Sequence, residues 1–240
     1  MNKYLDFLEK SGAGGAHPGG LKITKKILSK MEMNPFTNIL EVGCGTGQTM
    51  SYIAQQYPGK IVGVDILEGM VEKANQRFRK LDLPIRAYKG EAESLPFEKN
   101  SFDYVLSESV LIFTDLDLSL LEINRVLKEK GQLIAVEMVV EKKISNNDLE
   151  RIKNFYGFKQ MLAEKEWNRK FRSAGFIDIQ FEKYEVPKEN VKAEELPDLH
   201  FWENMDEKMW QLLVEHQDFL EKYSDVFGVR IITCRKETQR

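Results

Sequence analysis

Apolar and polar positions along the chain follow two alternating rhythms. Short apolar runs at 38–42, 60–65, 84–89, 102–107 and 132–138 have the length and composition of buried strands. Between them, apolar residues recur every three or four positions over 46–57, 68–82, 115–128 and, after an interruption, 163–174. That is the period of a helix with one buried face. Strands and helices in alternation predict an α/β fold, a mostly parallel sheet with helices on both faces.

Both ends depart from this rhythm. Tyr4, Leu5, Phe7 and Leu8 fit a short helix within 1–10, and the glycine-dense stretch from Gly12 to Gly20 interrupts regular structure. Leu21, Thr24, Ile27, Leu28 and Met31 then predict a helix over 20–33. Towards the other end, Phe176 to Val186 and Val229 to Arg235 are extended in character, with no crossover helix of the usual kind between them. They predict an antiparallel hairpin, for seven strands in all. Two segments exceed what such a sheet needs, 139–162 after the fifth strand and 187–225 between the last two. Both leave the carboxyl edge of the sheet, where open α/β folds bind ligands, and connections this long are usually functional. Over 199–223, Trp202, Met205, Met209, Leu212, Leu213, Phe219, Leu220 and Tyr223 recur at helical spacing and predict a helical cap. The expected organisation is an N-terminal helix, glycine-rich loop and lead-in helix over 1–35, and a core over 36–186 with an insertion at 139–162. A cap at 187–225 and a terminal strand at 226–240 complete it.

Composition narrows the setting. The chain has 240 residues, 42% hydrophobic and 30% charged, with a formal net charge of −3. The sequence pI is near 5.8, which argues against the basic face that a nucleic-acid partner needs. No apolar run reaches membrane-spanning length, and the first residues lack the apolar core of a signal peptide. Two cysteines, Cys44 and Cys234, form neither a disulfide framework nor a metal motif. A cytoplasmic protein with no membrane partner and no metal is expected.

The chemistry concentrates in Ile39-Leu40-Glu41-Val42-Gly43-Cys44-Gly45-Thr46-Gly47 and in Val62-Gly63-Val64-Asp65. A strand opens into a loop with glycine at every second position, where a ligand can lie against main-chain N–H groups. Asp65, ending the next strand 20 residues past Gly45, is positioned to accept from both hydroxyls of a ribose. Together these describe a seat for a nucleoside-bearing cofactor. The dinucleotide fingerprint G-x-G-x-x-G is not met, because the glycines fall as G-x-G-x-G and position 48 is Gln. Glu41 would repel a pyrophosphate, yet a carboxylate there suits an ammonium group.

At these residues the sequence resembles class I S-adenosylmethionine-dependent methyltransferases, whose first motif has the form (I/L)-(E/D)-x-G-x-G-x-G. The resemblance continues through Gly90-Glu91-Ala92-Glu93-Ser94-Leu95-Pro96-Phe97 and Ser101-Phe102-Asp103-Tyr104-Val105. It resumes at Glu122 to Lys128 and Lys130 to Leu133. These blocks span roughly 36–140 and are similar to the small-molecule branch that includes ubiquinone and menaquinone C-methyltransferases. The resemblance implies a Rossmann-like sheet, S-adenosyl-L-methionine as methyl donor, S-adenosyl-L-homocysteine as product, and a small-molecule methyl acceptor. It also implies a cofactor site built from Glu41, Gly43, Cys44, Gly45, Gly47, Asp65, Ile66, Glu91, Ala92 and Ser107. Ile66 would face the adenine ring, Glu91 and Ala92 its edge, and Ser107 the methionine moiety, while the Cys44 side chain serves as filler.

The acceptor side is less constrained. The sequence 107–109 lacks the Asn/Asp-Pro-Pro box of enzymes that methylate base amines, and Glu108 is open to a capping or a catalytic reading. His17, next to Pro18 in the glycine-dense loop, is the candidate catalytic residue, since histidine exchanges protons near neutrality. His216 falls on the apolar stripe of the late helix and reads as a core residue. Phe155, Tyr156, Trp202 and Met205 are candidates for lining an acceptor pocket. Rival readings are an RNA or protein methyltransferase, a dinucleotide-binding oxidoreductase and a non-catalytic cofactor-binding protein.

Overall fold

The computed structural model describes residues 2–12, 17–186 and 207–238. Strands β1 (Asn38–Val42), β2 (Lys60–Asp65), β3 (Arg86–Lys89), β4 (Phe102–Glu108), β5 (Leu127–Val140), β6 (Phe176–Tyr184) and β7 (Phe227–Lys236) form one seven-stranded sheet. Their order is β3-β2-β1-β4-β5-β7-β6. β1 to β5 pair in parallel, and β7 is antiparallel to both β5 and β6. The predicted α/β sheet with an antiparallel hairpin is thus the observed one.

Strand periodicity sorts the core into two layers. Leu40, Val42, Val105, Leu133 and Ala135 face one side, packed under α5 (Leu116–Val126) and α7 (Glu164–Ser173), where Trp167 and Phe171 are fully buried. Ile39, Leu106, Ile134 and Val136 face the other side. They lie beneath α2 (Gly20–Leu28), α3 (Gln48–Gln56) and α4 (Glu68–Lys80). Because side chains alternate, Glu41 shares its side with Ile39, and Glu108 shares its side with Leu106. Both acids therefore point to the layer that carries α2 and α3.

A third apolar cluster lies at the carboxyl edge, where Val140 pairs with Phe227 at the end of β5. It joins Ile152 and Tyr156 of α6 (Asn146–Tyr156), Phe219 of α8 (Glu207–Lys222), Ile112 and Phe158, with Tyr4 of α1 (Lys3–Ser11) packed against it. The insertion at 139–162 thus folds as the end of β5 plus α6. Of the helix expected over 199–223, the part from Glu207 is helical, and 199–206 lies outside the described residues.

Several boundaries differ from the sequence expectation, most by one or two residues. The first helix of the core layer ends at Leu28 rather than 33, since Lys30 and Met31 N–H bond three residues back and turn the chain. β3 begins at Arg86 rather than 84. β5 begins at Leu127 rather than 132, because Leu127 pairs with Phe102 before a kink at Lys130 (φ 61°) and Gly131.

Candidate active site

The glycine loop is stitched to the neighbouring strand. Gly43 and Cys44 N–H groups both donate to the Val64 carbonyl, at 2.8 and 3.0 Å. Gly43 (φ 72°) is required by packing, as a Cβ there would sit 2.2 Å from Cγ2 of Val110. Gly45 (φ 51°) is different. Among the described residues a Cβ there would meet no atom within 4 Å, so the inside of the turn faces open space. Gly47 caps the N-terminus of α3. The Cys44 side chain is buried in the core layer with Met50, and burial pushes its thiol well above the usual range.

Asp65 ends β2 beside this turn. One of its oxygens accepts from the Gly45 N–H at 2.8 Å and the other from the Leu67 N–H at 2.9 Å. Each oxygen keeps a lone pair for a further donor. Burial raises the Asp65 carboxyl above its ordinary range. Ile66, next along, is 56% exposed, an apolar side chain left in the open at the strand edge. The Gly90 N–H donates to the Asp65 carbonyl at 3.0 Å, bringing exposed Glu91 and buried Ala92 to the same edge.

Glu41 is buried on the other side of the loop. Its Oε2 has no hydrogen-bond partner among the described residues. Burial first, then the nearby Glu108 and Asp65, push its carboxyl well above the usual range. A buried acid flanked by acids is suited to a cation, and it adjoins an open glycine turn and the carboxylate of Asp65. The model of a family described as "Methyltransferase domain" matches residues 40–135. Over 237 residues the chain is 39% identical to the Bacillus subtilis (strain 168) protein described as uncharacterized methyltransferase YodH. That match spans 98% of this chain and 100% of that protein.

The chain belongs to the methyltransferase family. It is a class I S-adenosylmethionine-dependent methyltransferase. It is also 28% identical over 179 residues to demethylmenaquinone methyltransferase of Staphylococcus aureus (strain JH9), covering 65% of this chain and 74% of that protein. Among solved structures it is similar to Haemonchus contortus phosphoethanolamine N-methyltransferase 2 in complex with S-adenosyl-L-methionine. The TM-score is 0.80 at 19% identity, and the match covers 99% of this chain and 61% of that one.

The methyltransferase carries a polar cluster at the end of β4 that the sequence left unresolved. Glu108 Oε1 accepts from the Thr24 hydroxyl at 2.7 Å, and Oε2 accepts from the Thr49 hydroxyl at 3.0 Å. His17 Nε2 stands 3.5 Å from Oε2, and both side chains are almost completely buried. Neither ring nitrogen of His17 makes a hydrogen bond among the described residues. Glu108 is thus the hub of a buried cluster rather than a solvent-facing helix cap. Ser107, paired with Val42, is fully buried beside the glycine loop.

A second buried acid escaped sequence reasoning. Glu137, in β5, accepts from the N–H groups of Val110 at 3.2 Å and Leu111 at 2.9 Å. It thereby holds the segment whose Val110 packs on Gly43. Gln160 and Lys159 hold the same segment from the insertion, donating to the carbonyls of Leu111 and Ile112 at 2.6 and 3.0 Å. Burial pushes the Glu137 carboxyl up from 4.5 to about 8. The folded state therefore binds this proton more tightly than the unfolded chain, and Glu137 lowers stability progressively as pH rises from 4.5 to about 8. Glu137→Gln, which cannot titrate, should lose that decline. Thermal melts of both proteins across this window should diverge with rising pH, and parallel curves would refute the assignment.

The candidate acceptor residues divide. Phe155 and Tyr156 sit on α6 in the third apolar cluster, with Tyr156 4.8 Å from the Tyr4 ring and Phe155 4.8 Å from the Phe219 ring. Tyr156 Oη is 2.8 Å from His216 Nδ1, and burial lowers the His216 pKa, so His216 is a packed cap residue. Trp202 and Met205 lie outside the described residues.

Proposed function

We propose that this methyltransferase binds S-adenosyl-L-methionine over the glycine loop and passes its methyl group to a small-molecule acceptor, leaving S-adenosyl-L-homocysteine. The observation that carries the reading is the unpartnered, buried Glu41 oxygen beside the open turn at Gly45. Glu41 takes the ammonium of the methionine moiety, with the backbone of Gly43 to Gly47 and of Ser107 alongside. Asp65 takes the ribose hydroxyls, Ile66 one face of adenine, and Glu91 and Ala92 its edge. The cofactor supplies a carbon already activated by its sulfonium, so the protein's task is alignment and exclusion of water.

In this reading 36–186 is the cofactor core, completed by the strand of 226–240, while α1, α2 and α8 cover the acceptor. Phe155 and Tyr156 line its apolar side and His17 handles its proton, whereas Trp202 and Met205 lie outside the described residues. The net charge of −3 favours a small acceptor over nucleic acid, and the two unpaired cysteines, Cys44 and Cys234, fit a cytoplasmic setting. A methyl-transfer assay with labelled donor across a metabolite library tests the activity. Labelled product in the small-molecule fraction supports it, whereas label found only in co-purifying RNA or protein would replace it.

Glu41 gives a second handle. Burial first, then the neighbouring acids, raise its carboxyl pKa well above the usual range, and a bound ammonium opposes that shift. Cofactor binding should therefore release a proton and tighten as pH rises. Calorimetry of S-adenosyl-L-homocysteine binding in buffers of different ionisation enthalpy should show the release in the wild type and its disappearance in Glu41→Gln. Equal proton release in the two proteins would remove Glu41 from the ammonium site.

A further inference from the structure

We infer that Glu108 is a positioning residue for His17. It holds the Nε2–H of the imidazole so that Nδ1 is the atom that receives the acceptor's proton. The inference rests on the cofactor reading above and adds to it a class of acceptor, one whose methylated oxygen or nitrogen carries an ionisable hydrogen.

Three observations converge. First, Glu108 is fixed on both oxygens, by Thr24 from α2 and Thr49 from α3, so its carboxyl group cannot rotate away from the histidine. Two hydroxyl donors brought in from 84 and 59 residues away form a built support. Second, it is Nε2 that faces Oε2, at 3.5 Å, a separation that needs only a small shift to close into a hydrogen bond. Third, both His17 nitrogens are buried without a hydrogen-bond partner among the described residues, and an imidazole so placed is a costly arrangement unless a ligand completes it. The groups facing the ring are Glu108 on β4, with Thr24 and Thr49 around it, and Glu41 on β1 lies near enough to interact electrostatically with Glu108.

An imidazole that donates through one nitrogen to a carboxyl group is fixed in the tautomer whose other nitrogen is a free base. In the balanced transfer a carbon–oxygen or carbon–nitrogen bond forms at the acceptor. The donor's carbon–sulfur bond breaks with its electron pair kept by sulfur, and the acceptor's proton goes to Nδ1 and then to solvent. An acceptor with no such proton, a tertiary amine or a thioether, gives this pair nothing to do.

The test uses the full chain with nitrogen-15 in its three histidines, read by long-range nitrogen–proton correlation with and without S-adenosyl-L-homocysteine. The His17 signals are assigned by their loss in His17→Ala. The expected result is a protonated Nε2 and an unprotonated Nδ1, with the fixed tautomer giving way to a mixture in Glu108→Gln. A protonated Nδ1, or a Glu108→Gln spectrum identical to that of the wild type, would overturn the inference. Turnover is then measured with phosphoethanolamine, an acceptor whose nitrogen carries ionisable hydrogens, as the probe. His17→Ala should lose about 100-fold, the low end of a general-base contribution, and recover in part with added imidazole. Wild-type rates in His17→Ala on this probe would overturn the base role. If the wild type does not turn over the probe, the tautomer measurement decides. His17→Ala should keep its affinity for S-adenosyl-L-homocysteine, and a collapse of that affinity would make His17 a cofactor ligand and defeat the inference. Failure of the wild type itself to bind the product cofactor would instead defeat the underlying reading, while leaving the ligand-free tautomer to be read on its own.

Discussion

Asp65→Ala should weaken S-adenosyl-L-homocysteine binding by roughly 1–3 kcal/mol, the range for losing hydrogen bonds to a charged acceptor. Two effects add. The ribose hydroxyls lose their acceptor, and the Gly45 and Leu67 N–H groups, now held at 2.8 and 2.9 Å, lose theirs. Asp65→Asn separates them, because it preserves shape and one acceptor oxygen while removing the charge. Its affinity should fall between those of the wild type and Asp65→Ala, with little change in thermal stability. Calorimetry that finds equal affinity in all three proteins would remove Asp65 from the site.

Gly45→Val should abolish binding while leaving a folded protein. At φ 51° a β-branched residue is strained by about 1–2 kcal/mol. No atom of the described residues lies within 4 Å of the new Cβ, so the core is not disrupted. What the side chain does fill is the open space over the turn, where the ligand is to lie. Gly45→Ala should be intermediate. Circular dichroism and a thermal melt check the fold, and titration with S-adenosyl-L-homocysteine reads the binding. A folded Gly45→Val protein with wild-type affinity would show that the ligand seat is elsewhere. Gly43→Val serves as the contrast. There a Cβ would run into Val110 at 2.2 Å, so that variant should lose stability as well as binding.

The elements that were legible in the sequence are those whose signal is local. β1, β2 and β4 are short apolar runs, and α4, α5 and α7 have unbroken helical periods, so each was placed within about two residues. The hairpin of β6 and β7 was legible because its two extended runs lack an intervening crossover helix. Boundaries set by pairing were harder. Leu127 joins β5 through its partner Phe102, 25 residues earlier, and nothing in Leu127 to Lys130 announces that partner. The site divides in the same way. Glu41, Gly45 and Asp65 follow one another through a single strand–loop–helix–strand unit, and their spacing alone pointed to a nucleoside-bearing ligand.

Glu108 and Glu137 depend on distant contacts. The Glu108 cluster draws on Thr24 and Thr49, and no local pattern links these residues to position 108. Glu137 did leave a trace. It is the one acid inside the apolar run from Leu133 to Val140, a placement that a strand buried on both faces tolerates only when backbone donors or a proton satisfy the carboxyl.

The central claim is that the glycine turn and the acids around it form a seat for S-adenosylmethionine and its product. It is tested most directly by calorimetric titration of the purified chain with S-adenosyl-L-homocysteine, alongside NAD and NADP. The account predicts one site for S-adenosyl-L-homocysteine, with affinity on the order of micromolar, and no binding of either dinucleotide. No heat with S-adenosyl-L-homocysteine, or comparable binding of NAD or NADP, would contradict it.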